Sequence, residues 1–162
     1  MLALRSAYLL ALVVWLGGIV VLGAIVAPTT FAILQSTVPD TGRALAGDVF
    51  ATIVARFHYV EYAAGSVLLV SLAAMALLGP RPSAFAIRMG IIAAMLGVAV
   101  YSGIVVLGGI EAIQQEVGTL PSRLPADDAR RLAFDALHRL SERLMLADLA
   151  GALVLLYWEA RE

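Results

Sequence analysis

Two pairs of histidine and glutamate are the residues of this chain best suited to coordinate a ligand. His58 precedes Glu61 by three positions and His138 precedes Glu142 by four, so each pair shares one side of a helix. Imidazole is a frequent ligand of Cu, Zn, Fe and Ni, and carboxylates complete many such sites. The same pattern is also typical of a hydrogen-bonded or solvent-facing pair that binds nothing.

These pairs belong to a chain with the composition of a membrane protein. Of its 162 residues, 62% are apolar and 14% charged, whereas soluble domains have about 45–50% and 25%. A soluble fold of this size could not bury so much hydrocarbon. The absence of cysteine excludes a disulfide scaffold and thiolate metal sites. The net charge of −1 gives no basic surface, so we expect no nucleic-acid partner.

Four hydrophobic segments define the predicted fold. Uncharged stretches cover residues 6–39, 62–79 and 89–110, and a fourth apolar segment, 143–158, contains Asp148. They are continuous blocks without alternation, which indicates membrane helices and not barrel strands. Pro- and Gly-rich turns separate them. We expect one integral membrane domain over 1–162, an all-α antiparallel four-helix transmembrane bundle in up-down-up-down order, with helices at about 5–35, 44–78, 84–117 and 127–160 and a kink near Pro28.

Folded as hairpins, these segments place the first and third connectors on one membrane face and both termini on the other. The ionisable residues concentrate toward the face of the two connectors. We predict that four of them converge as candidate metal ligands: His58, Glu61, Glu111 and His138. Around them we expect Ser141, Glu142 and Asp148. A carboxylate at the centre of a membrane helix costs roughly 2.5–3.5 kcal/mol, so these groups should find partners. For Asp148 the candidates are Tyr101, Ser102 and Arg143.

Several hypotheses for function follow from these residues. The first is a membrane protein that binds a divalent transition metal through the four candidate ligands. A second is a haem b between the second and fourth helices, with His58 and His138 as axial ligands. A third is a structural or accessory subunit without a ligand, and a fourth is a small transporter that works as an oligomer. Hydrolase and phosphate-loop motifs are missing from the sequence, so we expect no enzyme.

Small residues predict where helices approach one another or a further membrane subunit. Gly17 and Gly18 lie in the first helix, and Gly90 and Gly97 share a face of the third. Such stripes allow backbones to come close in a membrane. We therefore assign these four glycines to helix packing, with the lipid bilayer and other membrane subunits or further copies of the chain as expected partners.

Short motifs along the chain resemble a known family. They are Trp15-Leu16-Gly17-Gly18, Ala27-Pro28-Thr29-Thr30-Phe31, Arg56-Phe57-His58-Tyr59 and His138-Arg139-Leu140-Ser141. Together they resemble the transmembrane protein 205-like family and its bacterial relatives with domain of unknown function 4149. The family tends to have Asn about seven residues after the last His, where this chain has Met145 and, nearby, Asp148.

The resemblance implies four membrane spans, no established enzymatic activity and, for this chain, a place in a bacterial inner (plasma) membrane. Animal members of the family are linked to tolerance of platinum drugs. The layout is also similar to that of small copper-resistance membrane proteins with histidines near a membrane face. Both similarities favour the metal-handling hypothesis.

Overall fold

The computed structural model describes residues 1–118 and 120–161, apart from the side chain of Ser122. Over these residues the chain forms helices and no strand. Four long helices follow one another: α1 (Leu2–Thr37), α2 (Gly42–Leu78), α3 (Phe85–Val117) and α4 (Ala129–Glu159). A 3₁₀ turn, Pro121–Arg123, lies in the third connector. The largest difference from the expected bounds is at α1, which begins at Leu2 and not near residue 5.

The first three helices are long and apolar enough to cross a membrane. At 1.5 Å per residue they measure about 50–55 Å, well beyond the roughly 30 Å of bilayer hydrocarbon. The fourth helix carries more charge along its length and packs against α1 and α3. The chain is thus an all-helical protein with three apolar helices of membrane-spanning length.

Two helices contain a π-helical turn. In α1 this turn covers Leu22–Val26 and ends just before Pro28. Proline has no N–H to donate to the preceding turn, so the expected irregularity near Pro28 takes the form of a π turn. In α3 a similar turn covers Ser102–Val106, although no proline lies nearby in the sequence. Such turns re-aim the side chains that follow them.

Most of the buried apolar residues lie in one half of the molecule, and Leu22, Ala46 and Val106 are among the exceptions. This half, which we call the terminal half, contains the start of α1, the end of α4 and the second connector, and it reaches to the level of Glu61. Its core consists of side chains with no exposed surface: Tyr8, Leu12, Trp15, Leu68, Leu72, Ile92 and Leu155. Small residues permit the close packing, since a Cβ at Gly65 would lie 2.9 Å from the Trp15 ring and one at Gly151 2.8 Å from the Met95 sulfur.

The other half, which we call the connector half, reaches from Glu61 to the first and third connectors and is much more open. The segments Ala27–Thr37 of α1 and Leu107–Val117 of α3 bury no residue. In α4 the first buried residue is Asp148. The helices here pair two by two, with the end of α1 on the start of α2 and the end of α3 on the start of α4.

The connection between α1 and α2 explains the first of these pairs. The backbone of Gly42 lies directly on that of Leu34, where any Cβ would clash. The Gly42 N–H donates to the Val38 carbonyl at 2.6 Å, and the Phe31 and Phe50 rings meet edge to face. An open cleft of about 350 Å³ lies between the two helix pairs, lined by Thr41, Ala44, Asp48, Gln114, Gly118, Leu120 and Arg123.

Candidate functional site

A group of buried polar side chains lies where the two halves meet. We call it the central polar cluster, and its members are Trp15, His58, Glu61, Ser102 and Asp148. The four besides Trp15 are 4–8% exposed. Ionisable side chains at such burial are rare, because desolvation of a charge is expensive.

His58 and Glu61 form the shortest contact of this cluster. The Nδ1 atom of His58 lies 2.6 Å from Oε2 of Glu61, as the spacing of three residues on one helix allows. The His58 ring also stacks on Tyr62. On α3, a Cβ at Gly103 would lie 3.0 Å from the His58 ring, so the absence of a side chain there lets α2 approach.

Asp148 brings a second carboxylate to the cluster from α4. It lies close enough to Glu61 for the two charges to repel each other. Its Oδ1 atom is fully buried and has no hydrogen-bond partner within the described part of the chain. Neither Tyr101 nor Ser102 nor Arg143, the partners expected from the sequence, donates to it there.

The indole of Trp15 supplies a buried donor at a similar depth. Its ring lies against Gly65, one helical turn from Glu61. The Nε1 atom is buried and, over the described residues, has no acceptor. Most buried polar atoms in proteins are hydrogen-bonded, so an unmatched donor and an unmatched acceptor in one region of the bundle mark it as unusual.

The other predicted ligands lie outside this cluster. Glu111 is exposed on α3. His138 pairs with Glu142 at 3.3 Å, and about 60% of each side chain is exposed, while the His138 ring stacks on Phe134. Ser141 is half-buried. The four candidate ligands are therefore not gathered into one site, because the connector half is splayed and His138 lies on an outer face of α4.

This arrangement bears on the metal and haem hypotheses. Among the described residues no three His, Asp or Glu side chains are placed to share a metal ion. An imidazole with most of its side chain exposed does not face a second imidazole across the bundle interior. The positions of His58 and His138 therefore give no support to axial ligation of a haem between α2 and α4.

A second charged group, which the sequence analysis missed, holds the terminal half together. Glu159 accepts hydrogen bonds from Nε of Arg5 and from Nη2 of Arg88, both at 2.6 Å. The Arg88 side chain is fully buried, and its guanidinium lies 4.9 Å from the centre of the Tyr8 ring. We call Arg5, Arg88 and Glu159 the terminal ion cluster. A signal was present, since each is the charged residue that ends an apolar stretch.

The four glycines assigned to helix packing behave differently from one another. A Cβ at Gly18 would overlap the Phe57 ring, so Gly18 lies at the contact of α1 with α2. Around Gly17, Gly90 and Gly97 there is open space. Among the described residues, these three therefore make no close helix contact.

Comparison with known proteins places the chain beside one family. Residues 10–118 match the family described as Domain of unknown function (DUF4149), which agrees with that part of the resemblance seen in the motifs. A search of the curated proteins and one of the solved structures found no match. The matched range covers most of α1 to α3 and ends before α4, the helix that carries Asp148 and Glu159.

Proposed function

The chain belongs to the DUF4149 family, and we propose that it is a four-span protein of a bacterial inner membrane whose central polar cluster binds and releases a proton. The observation that carries this proposal is the burial of three ionisable side chains, His58, Glu61 and Asp148, in one interior region. Buried Asp, Glu and His in membrane helices commonly mark proton relays.

The charged residues of α3 indicate how deep the cluster lies. Arg88 and Glu111 bracket an uncharged stretch that measures about 33 Å as a helix, close to the hydrocarbon thickness. Ser102 lies about 13 Å from the Glu111 end of this stretch. The cluster is then inside the hydrocarbon region, nearer to the side of the first and third connectors.

The same reasoning makes α4 the fourth span, antiparallel to α3. Its charged residues within the bilayer are those that contact other helices: Asp148 is in the central polar cluster and Glu159 in the terminal ion cluster. Because neither charge faces lipid, the low hydropathy of α4 does not prevent insertion. This reasoning supports the up-down-up-down bundle expected from the four segments.

The balance of charge in the cluster favours a bound proton. His58 is the one basic side chain of the cluster, whereas Glu61 and Asp148 are two acidic ones. A second carboxylate charge in a medium of low dielectric constant is strongly disfavoured and is avoided by protonation. The Asp148 Oδ1 atom, without a donor from the described residues, is the oxygen best placed to take the proton.

Infrared difference spectroscopy of the protein in lipid nanodiscs tests this proposal. We expect a band from a protonated buried carboxyl group that titrates with pH and disappears in Asp148→Asn. Glu142→Gln is the matched control, since Glu142 is a carboxylate of the same helix that is exposed, and it should leave the band unchanged. A wild-type spectrum without a protonated carboxyl band contradicts the proposal.

Metal analysis of the same purified protein separates this proposal from the metal hypothesis. We expect no metal at a stoichiometric level. If the protein instead contains a stoichiometric transition metal, and His58→Ala removes it, the role of the cluster is metal binding and not proton binding.

A further inference from the structure

The packed terminal half separates the central polar cluster from one face of the membrane. Between this cluster and the terminal ion cluster lie four side chains without exposed surface, one from each helix: Leu12, Leu68, Ile92 and Leu155. Beyond them, Arg5, Glu159 and Arg88 join α1, α4 and α3. A close-packed apolar layer of this kind has no room for water.

Toward the connectors the helices end in an open region that begins beyond Val106, which is 1% exposed. Beyond the cluster toward the connectors, α1 and α3 each continue for 11 residues, Ala27–Thr37 and Leu107–Val117, that bury no side chain. The cleft between the two helix pairs lies at this end, and Asp48, Gln114 and Arg123 give it a polar lining.

Helix lengths place this open end in water. On the connector side of Arg56 and Arg143, the helices α2 and α4 each continue for about 21 Å, to Gly42 and Ala129. Both segments carry exposed charged side chains, Asp48 and Glu142 among them for α2 and α4. The cleft therefore opens to solvent or lipid headgroups, and not to hydrocarbon.

The cluster itself contains atoms that suit water. The Trp15 Nε1 donor and the Asp148 Oδ1 acceptor are both buried and lack a hydrogen-bond partner within the part of the chain that the structure describes. Water molecules satisfy such atoms where the site is polar and accessible. Besides Asp148, the buried polar side chains of the cluster are Trp15 from α1, His58 and Glu61 from α2, and Ser102 from α3. Of these, Glu61 lies close enough to Asp148 for the two carboxylates to repel each other.

We infer that water reaches the central polar cluster from one side only, that of the first and third connectors, and that hydronium is the species delivered there. This inference rests on the proposed proton site. In the loading step, an O–H bond of hydronium breaks, the proton forms a new O–H bond with the Asp148 carboxylate, and water is left. Release returns the proton to water by the same route. Because the terminal half is closed, the water-filled path is a half-channel that connects the cluster to one side of the membrane.

Cysteine labelling tests this inference cleanly, because the natural chain has no cysteine. Four positions on the inner face of α3 form a series from the connector side to the terminal side: Val106, Ser102, Ala99 and Met95. All are at most 8% exposed, so any difference in labelling reports the access route and not surface exposure. Each is changed to Cys in the full chain, reconstituted in vesicles and treated with a membrane-impermeant methanethiosulfonate on one side at a time.

Two exposed positions identify the sides. Thr41→Cys lies in the first connector and Ser83→Cys in the second. We expect Val106→Cys and Ser102→Cys to react from the side that labels Thr41→Cys. Met95→Cys should react at least about tenfold more slowly from either side, since it requires local opening of a packed core. Size-exclusion profiles identify any misfolded variant. The labelling rates at the remaining positions still show from which side water reaches the cluster.

Labelling of Ser102→Cys from the side of Ser83→Cys, or equal rates along the series, overturns one-sided access. These results are independent of the infrared test. One-sided labelling without a titrating carboxyl group would retain the water route and remove the proton site. A titrating carboxyl group with labelling from the terminal side would do the reverse.

Discussion

The terminal and connector halves are built from the same four helices, yet they differ in the burial and pairing of their charged side chains. In the terminal half each buried charge has an opposite partner, as Glu159 has in Arg5 and Arg88. In the connector half the ion pairs, such as His138–Glu142, are largely exposed. The central polar cluster lies at the junction, where charges are buried and incompletely paired. The central polar cluster therefore lies where the packed core ends and the helices separate into pairs.

The largest expected difference between the halves concerns their ion pairs. Glu159→Gln removes the carboxylate charge that Arg88 faces in a fully buried position. Loss of one partner of a buried pair costs about 3–5 kcal/mol, because the remaining charge stays buried. We expect the free energy of unfolding, measured by SDS titration from detergent micelles, to fall by this amount.

Glu142→Gln in the connector half is the matched control for that variant. Its exposed pair with His138 is worth at most about 0.5 kcal/mol. Arg5→Gln should lie between the two, since 42% of the Arg5 side chain is exposed. Equal effects of Glu159→Gln and Glu142→Gln would mean that the terminal ion cluster is hydrated in the folded protein and does not close that end.

A second test compares leucines of the two halves. Leu68 is fully buried between helices in the terminal half, whereas Leu132 is exposed at the start of α4. We expect Leu68→Ala to lower the free energy of unfolding by about 2–5 kcal/mol, since it removes packing and leaves a cavity. Leu132→Ala should change it by less than about 0.5 kcal/mol. Similar losses at both positions would show that the connector half is packed as tightly as the terminal half.

The sequence was sufficient for the helices and insufficient for their contacts. Long uncharged blocks bounded by Pro–Gly turns predict helices directly, because a bilayer leaves few alternatives. The His58–Glu61 pair and the burial of Asp148 also followed from spacing and from the cost of charge in hydrocarbon. The predicted addition of Glu111 and His138 to the same site is not seen, since a helical wheel gives the face of one helix but not the angle between two. The π turn Ser102–Val106 and the splay of the connector half have no local sequence signal.

Glycines give a third, smaller comparison. A Cβ at Gly65 would lie 2.9 Å from both the Trp15 ring and Leu96, whereas one at Gly97 would meet open space. We expect Gly65→Ala to cost about 1–3 kcal/mol through overpacking, and Gly97→Ala to be neutral or stabilising by up to about 1 kcal/mol, because Ala favours a helix over Gly. Thermal unfolding in detergent measures both. A destabilising Gly97→Ala would instead place that face of α3 in a contact with another chain.

The smallest expected effect is a pH-dependent change confined to the first turn of α4, in the connector half. There Asp128 caps the helix by accepting a hydrogen bond from the Arg130 backbone N–H at 2.9 Å, and its side chain also accepts from the Arg130 guanidinium. The side-chain hydrogen bond from Arg130 is the main reason why the pKa of Asp128 is lowered to about 2. A carboxyl group with a lowered pKa stabilises the folded turn above its ordinary pKa, and this contribution is lost as the pH falls through about 2.

The amide chemical shift of Arg130, followed by NMR during acidification, reports this transition. We expect a midpoint near pH 2 in the wild type and no titration in Asp128→Asn, which keeps a capping side chain but has no charge to lose. Asp128→Ala removes both the cap and the titration. Because this cap affects only the first turn of α4, the thermal unfolding temperature of all three proteins should agree closely. A midpoint at the ordinary value for Asp, about 3.9, would mean that the Arg130 hydrogen bonds do not form, and a lowered unfolding temperature would mean that the start of α4 belongs to the packed core after all.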